Sequence, residues 1–347
     1  MDRLPLPIQT MFAELVERAH AGQLSDFEPN GRFYTKTVNG RDYWYFRGPM
    51  EQGVRRDRYV GPDSPELQAS VRQHKVAKDD YKERRQLVIA LDRVGIRGPD
   101  ARTGKVLEAL ARAGVFRMRA VVVGTTAFQT YPGLLGVKLS NANTITDDLD
   151  IAQFRTISIA VDDAVDVPFL DILRGVSPEF EPIMDAFDRG SASRFAIGTS
   201  YRVDILTPNQ GPDSDDLVPL PSLRTDAQAL RYLDFLIYRE TRSVALYGHG
   251  VPINVPAPER YALHKLIVSR LRLSTAESQA KARKDLRQAA DLIRVLVELR
   301  PYELKDLWQE LTERGPKWRQ TAQEALALMD SETGDPSIRE SFELAVR

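Results

Sequence analysis

Apolar positions recur at helical spacing over residues 5–24, at Ile8, Phe12, Leu15 and Ala19 behind a proline-rich start, and predict an amphipathic helix. The period then shortens. Runs at 32–38, 42–47 and 55–60 read as strands, the first two joined by Asn39-Gly40, a strong hairpin signal, and together they predict a small β-meander. Ser64-Pro65-Glu66 supplies an N-cap, a proline at the first helical position and a first-turn acid, so a long charged helix is expected up to Gly95. Val106, Leu107, Leu110 and Ala111 mark another helix, opened at Pro99-Asp100 and stopped by Gly114, before a β-rich run over 120–123 that ends at Gly124. Strand and helix signals then alternate: a short helix near 127–134, a run at 144–151, an edge strand at 156–161, and hairpins at 194–206 and 243–255. The Pro- and Asp-rich stretch 207–222 reads as a loop. From Pro258 to about Asp330 the pattern is helical, broken at Ser274 and Pro301. The expectation is an α+β protein in three parts: residues 1–98 with helix, meander and long charged helix, 99–256 with a mixed β-sheet, and 257–347 as a helical carboxy-terminal domain.

Composition narrows the chemistry. The 347 residues are more than one core needs, and 48 basic against 49 acidic residues leave a formal net charge of −1. That balance argues against a nucleic-acid footprint over the whole surface and leaves room for a local basic patch. Cysteine is absent, which removes disulfides, thiolate metal sites and thiol nucleophiles together. The four histidines, His20, His74, His249 and His264, are not spaced as a metal pair, so any metal falls to oxygen ligands. No window approaches the roughly 18 apolar residues of a membrane span, and no leader opens the chain, so a cytoplasmic protein is expected. Gly104-Lys105 resembles the end of a phosphate loop, but Pro99 and Val106 stand where that motif needs Gly and Ser or Thr.

Three segments carry chemistry together: Val121-Val122-Val123-Gly124-Thr125-Thr126, Asp147-Asp148-Leu149-Asp150-Ile151, and Tyr201-Arg202-Val203-Asp204-Ile205. In a strand Asp148 and Asp150 project to one side, about 6 to 7 Å apart at their Cα atoms, while Leu149 and Ile151 enter a core. Asp204 lies in a strand between apolar neighbours, where an acid is costly to bury unless it is paired or coordinates metal. Three such carboxylates make a hard-cation site for Mg²⁺ or Mn²⁺. A strand that ends in Gly-Thr and enters a helix offers free N–H groups and a hydroxyl to phosphate. Together these are the parts for in-line transfer at phosphorus.

At these residues the sequence resembles the nucleotidyltransferase-fold superfamily typified by DNA polymerase β, through Gly124-Thr125 and Asp148-Leu149-Asp150. The segment 257–266, with Lys281, Lys284-Asp285 and Gln288-Ala289, is similar to a bacterial branch of that superfamily, which is similar in turn to the nucleotidyltransferase toxins of abortive-infection systems. The likeness covers about residues 100–300 and implies a nucleotidyltransferase palm over 99–256. One feature departs from the pattern: the 24 positions from Gly124 to Asp148 exceed the usual interval, so the insertion around 132–143 either shapes the nucleotide pocket or shifts the first motif. By this resemblance Asp148 and Asp150 are metal ligands. Asp204 is the third acid, completing the metal site or deprotonating the acceptor. Gly124, Thr125 and Thr126 contact phosphates, Lys265 faces the triphosphate, and Arg260 and Lys284 assist. The implied activity is Mg²⁺- or Mn²⁺-dependent transfer of NMP from an NTP such as ATP to a hydroxyl, with a tRNA or other RNA 3′ end or a protein as acceptor and an antitoxin-like partner.

Blander readings stand beside these. Asp204 pairs with Arg202 or another base, Lys265 lies along a helix face, and His264 packs in the core. The cluster Tyr43-Trp44-Tyr45-Phe46 with Arg47, Arg55, Arg56 and Arg58 either contacts nucleic acid or fills a small sheet's core. The alternative for the whole chain is a non-catalytic nucleotide- or nucleic-acid-binding module on the same fold.

Overall fold

The computed structural model of the chain describes residues 2–21, 31–38, 41–51, 54–140, 146–160, 164–184, 192–209, 211–212, 216–272 and 275–347. Asn39-Gly40, residues 141–143 of the 132–143 insertion, the acids Asp213 and Asp215, and Ser274, where a helix break was expected, lie outside them.

Helix α1 (Leu6–Ala21) buries Phe12, Leu15 and Ala19, as its apolar spacing requires. Strands β1 (Arg32–Val38), β2 (Arg41–Glu51) and β3 (Val54–Pro62) form an antiparallel meander. Helix α2 (Pro65–Arg93) starts at Ser64, whose hydroxyl accepts the Leu67 N–H, and its 29 residues make it about 43 Å long. The aromatic cluster of β2 splits between faces. Phe46 is buried with Phe33 against His74 of α2, and the Trp44 indole donates to Asp63, while Tyr43 and Tyr45 face away from α2. Nothing is described of the side chains of Arg55, Arg56 and Arg58.

Helix α3 (Ala101–Arg112) is capped by Asp100, which accepts the N–H groups of Arg102 and Thr103. There follow β4 (Val121–Val123), α4 (Gly124–Phe128), α5 (Tyr131–Leu135), β5 (Asp148–Ala152), α6 (Arg155–Ala160), α7 (Phe169–Val176), β6 (Glu181–Pro182), β7 (Arg194–Ile197), β8 (Tyr201–Pro208), β9 (Val218–Leu220), β10 (Thr225–Leu230) and α8 (Leu233–Ile237). The sheet runs β4-β5-β8-β10-β9, with β7 against the first half of β8 and β6 against β7. It is mixed: β5–β8 and β8–β10 are parallel, and the other pairs are antiparallel. One face is apolar, with Leu149, Ile151, Val203 and Ile205 fully buried, and the other carries the acids. Hairpin β11 (Thr241–Ala245) and β12 (Val251–Val255) closes this region, and Val244 of β11 and Leu246 just beyond it share a buried cluster with α1.

The carboxy-terminal part is helical: α9 (Pro258–Leu271), α10 (Ala276–Leu299), α11 (Pro301–Glu313), α12 (Pro316–Thr333) and α13 (Ser337–Ala345). The fold is α+β, and one buried cluster from Val106 to Phe342 joins the sheet to these helices.

Three expectations fail. Residues 155–160 are helix, not edge strand. Their β-branched residues favour a strand, yet a helical turn lets Ser158 go inside, where its hydroxyl meets Ser222 Oγ at 2.8 Å and accepts the Ser222 N–H. The stretch 207–222 is not all loop either, since β9 lies within it and pairs with β10. The helical run also breaks at Gly315-Pro316 and resumes in α13 beyond Asp330.

Candidate active site

Parallel pairing of β5 with β8 sets Asp150 directly opposite Asp204 and Asp148 opposite Arg202, all on the polar face. Antiparallel β7 then places Arg194 opposite Asp204 from the other side. Arg202 sits among the acids, its Nε 2.9 Å from Asp204 Oδ1 and its Nη2 3.8 Å from Asp148 Oδ2. Thr146 donates its hydroxyl to Asp148.

Burial of Asp150, reinforced by the charges of Asp148 and Asp204, lifts its carboxyl from 3.8 to about 7 against the pull of Lys265 and Arg202. Asp204 is raised too, by burial, with Arg202 and Arg194 opposing. A cleft of about 560 Å³ opens over Asp150 and Asp204, walled by Gly124, Arg194, Lys265 and Arg272. A second hollow of about 510 Å³ lies on the Asp148 side, with Thr146, Thr199, Tyr201 and Lys281 in its wall. Arg202 also lines this second hollow, so it stands between the two groups of acids.

Strand β4 delivers Gly124 to the first cleft with φ +66°, and a Cβ there would lie 2.5 Å from Asp150 Oδ2. Only glycine meets both demands. The Tyr261 hydroxyl donates to the Gly124 carbonyl at 2.9 Å, tying α9 to the strand end. Helix α4 is one short turn, and across this corner Thr125 Oγ1 accepts from Lys284 Nζ at 2.9 Å. Burial first, then the neighbouring Lys265, lowers the pKa of Lys284.

Lys265 lines the cleft and bonds Asp285 Oδ1 at 2.5 Å. Burial pulls its pKa down, but Tyr261 and Asp285 outweigh that and hold the ammonium above the ordinary lysine value. Arg272 also grips Asp285, through Nε at 2.8 Å and Nη2 at 2.7 Å. Asp285 stays ionised because these two cations overcome the burial that would raise it. His264 is buried and lowered to about 3, hence neutral.

Of the residues singled out in the sequence, Gly124, Asp150, Asp204 and Lys265 meet at one cleft, with Thr125, Lys284 and Asp148 beside it. Two are not brought there. Arg260 grips Glu310 at 2.7 and 3.1 Å, donates to the Phe235 carbonyl at 3.0 Å and stacks on Phe235 and Tyr238. Thr126 is buried on another side, in a small hollow with Phe12 and Gln129. The Arg202–Asp204 pair was legible as an alternative, and Arg194 follows from the symmetry of the hairpin about Thr199. The roles of Tyr261 and Arg272 carry no local signal.

The donor set suits a hard cation: three acids on adjacent strands, one of them holding its proton to near neutrality through burial and the charges of the other two. Among the described residues, however, no three acid or histidine side chains close on a single metal position. Arg202 occupies part of the space between Asp148 and Asp204.

The sequence model of a nucleotidyltransferase family matches residues 101–313, from α3 to the end of α11, and a domain of unknown function matches residues 8–69. No curated protein and no solved structure matches the chain. The first match takes in the glycine corner, all three strand acids and the lysines of α9 and α10, and it spans well over half of the sequence; the chain belongs to this nucleotidyltransferase family.

Proposed function

We propose that the protein transfers an NMP group from an NTP to a hydroxyl acceptor, an RNA 3′ end such as that of tRNA or a protein hydroxyl, with release of pyrophosphate and dependence on a divalent cation. The observation that supports this most is the facing pair Asp150 and Asp204, with Asp148 on the same side, set between two hollows that can take donor and acceptor.

Asp148, Asp150 and Asp204 are the residues that would hold Mg²⁺ or Mn²⁺, and bound there the cation supplies charge for the triphosphate and a lower pKa for the acceptor hydroxyl. Gly124 admits the Asp150 carboxylate at the strand end, and Lys284, Lys265 and Thr125 face the anionic chain. The acceptor oxygen bonds to the α-phosphorus as the bond from that phosphorus to the bridging β-oxygen breaks, and the electron pair leaves with pyrophosphate. Asp204 either completes the cation site or takes the acceptor proton, and burial raises its affinity for that proton.

The test is incubation of the purified chain with each α-³²P-labelled NTP and Mg²⁺ or Mn²⁺ in cell extract, followed by separation of RNA, protein and small molecules. Label is expected in one fraction and is lost with Asp148→Asn and with Asp150→Asn. Transfer that survives both substitutions refutes the reading.

One observation favours a second reading, a non-catalytic nucleotide-binding module: Arg202 already puts a positive charge among the acids. Nucleotide binding indifferent to Mg²⁺ and to Asp148→Ala would select it.

A further inference from the structure

We propose that the outer face of the β1–β3 meander is a binding platform for a single-stranded polynucleotide, separate from the carboxylate cleft. Pairing register places Tyr34 opposite Tyr45 and Tyr45 opposite Tyr59, with Tyr43 two residues along β2 on the same face. Their rings form a continuous surface: centroids are 5.8 Å apart for Tyr34–Tyr45, 5.5 Å for Tyr45–Tyr59 and 6.3 Å for Tyr43–Tyr59. This is not a sheet core. The core face is the opposite one, where Phe33 and Phe46 meet His74, and on the tyrosine side Tyr59 remains 54% exposed.

Charge on this face matches a phosphate backbone. Lys36 Nζ lies 4.6 Å from the Tyr45 ring centre, and the Arg47 guanidinium lies 4.8 Å from that of Tyr34. Arg32 stands directly across from Arg47 in the register and adds a second guanidinium to this side. Among the described side chains, Asp57 is the acid that register places on this side, and it is held by Arg47 at 2.7 Å and by the Tyr34 hydroxyl at 2.7 Å. Asp42 and Asp63 bond Thr37 and Trp44 on the other face. Rings that are half-buried at Tyr34, Tyr43 and Tyr45 and exposed at Tyr59, flanked by cations, fit unpaired bases over the tyrosines and phosphates over Lys36, Arg32 and Arg47. A duplex, whose base faces are stacked away, offers the rings nothing. The platform lies within the matched domain of unknown function, and it does not depend on the transfer reading.

The experiment is fluorescence anisotropy with the full chain and labelled RNA and DNA single strands of roughly 12 nucleotides, within the site sizes of such surfaces, beside the duplex of each. Single strands are expected to bind and duplexes to bind more weakly, the RNA and DNA arms identifying the preferred sugar. Tyr45→Ala and Tyr59→Ala each weaken binding by about fivefold or more, while Tyr45→Phe, which keeps the ring, stays within about twofold. Lys36→Glu, at an exposed position, weakens binding as well and flattens its salt dependence. Asp148→Asn binds like the native chain, so a failure of catalysis and a failure of the platform are read separately. Absent binding, equal binding of duplex, or native affinity in both Tyr59→Ala and Lys36→Glu overturns the proposal.

Discussion

Gly124 joins a backbone requirement to a chemical one. Its φ of +66° is one that a side chain resists, and its missing Cβ is the space that Asp150 Oδ2 fills. Gly124→Ala is therefore expected to lower stability by about 1–2 kcal/mol through the left-handed conformation alone. It also displaces the Asp150 carboxylate, so nucleotidyl transfer should fall far more than stability does. Denaturant unfolding and the labelled-NTP assay, run side by side, check both, and native transfer by the alanine variant would show that the close approach is unnecessary. The glycine is visible in the sequence because a strand that stops at Val123 needs a reason. That Asp150 is the group filling the space is not visible, because it comes from a strand 24 or more residues away.

At the scale of elements, α9 explains why neighbouring candidates part company. Successive helical residues turn by about 100°, so Tyr261 and Lys265 share a face while Arg260 lies about 140° from Lys265. Lys265 reaches the cleft, and Arg260 locks α9 to α11 through Glu310. Arg260→Ala removes a buried guanidinium from a carboxylate that Arg314 alone then partners. Stability should drop by about 2 kcal/mol, discounted because Glu310 is partly exposed, with the KM for NTP unchanged. A raised KM without a loss of thermal stability would instead place Arg260 on the nucleotide. Helix α6 carries the same lesson in reverse: propensity favoured a strand over 156–161, and the buried hydroxyl pair of Ser158 and Ser222 decided otherwise.

For the whole molecule, the lifted pKa of Asp150 links folding to pH. The folded chain keeps that proton up to about 7, whereas the unfolded chain releases it near 3.8, so this group's contribution makes stability fall as pH rises between those values and level off above. Asp150→Asn should remove that part of the slope. A cation held by the acids reverses the trend, because binding requires the ionised carboxylate. The increase in Tm on adding Mg²⁺ is thus expected to be larger at pH 8 than at pH 6, in thermal melts of the native chain, and absent in Asp150→Asn. An increase independent of pH would mean that Asp150 does not contact the cation.

Alternation in 148–151 and 201–206 was enough to separate acids from core residues, because a strand sends neighbouring side chains to opposite faces whatever surrounds it. Local signals likewise determined the meander, the Ser64 cap and the helical carboxy-terminal part, since turn and cap chemistry acts within a few residues. Which strands adjoin was left to tertiary structure. Pairing between β5 and β8 brings together residues more than 50 positions apart, and only that register sets Asp150 against Asp204 and inserts Arg202 between the acids. The same long-range packing sent Arg260 to Glu310, Thr126 to another hollow, and the tyrosines of β2 away from Phe46, because each contact depends on an element that the local sequence does not name.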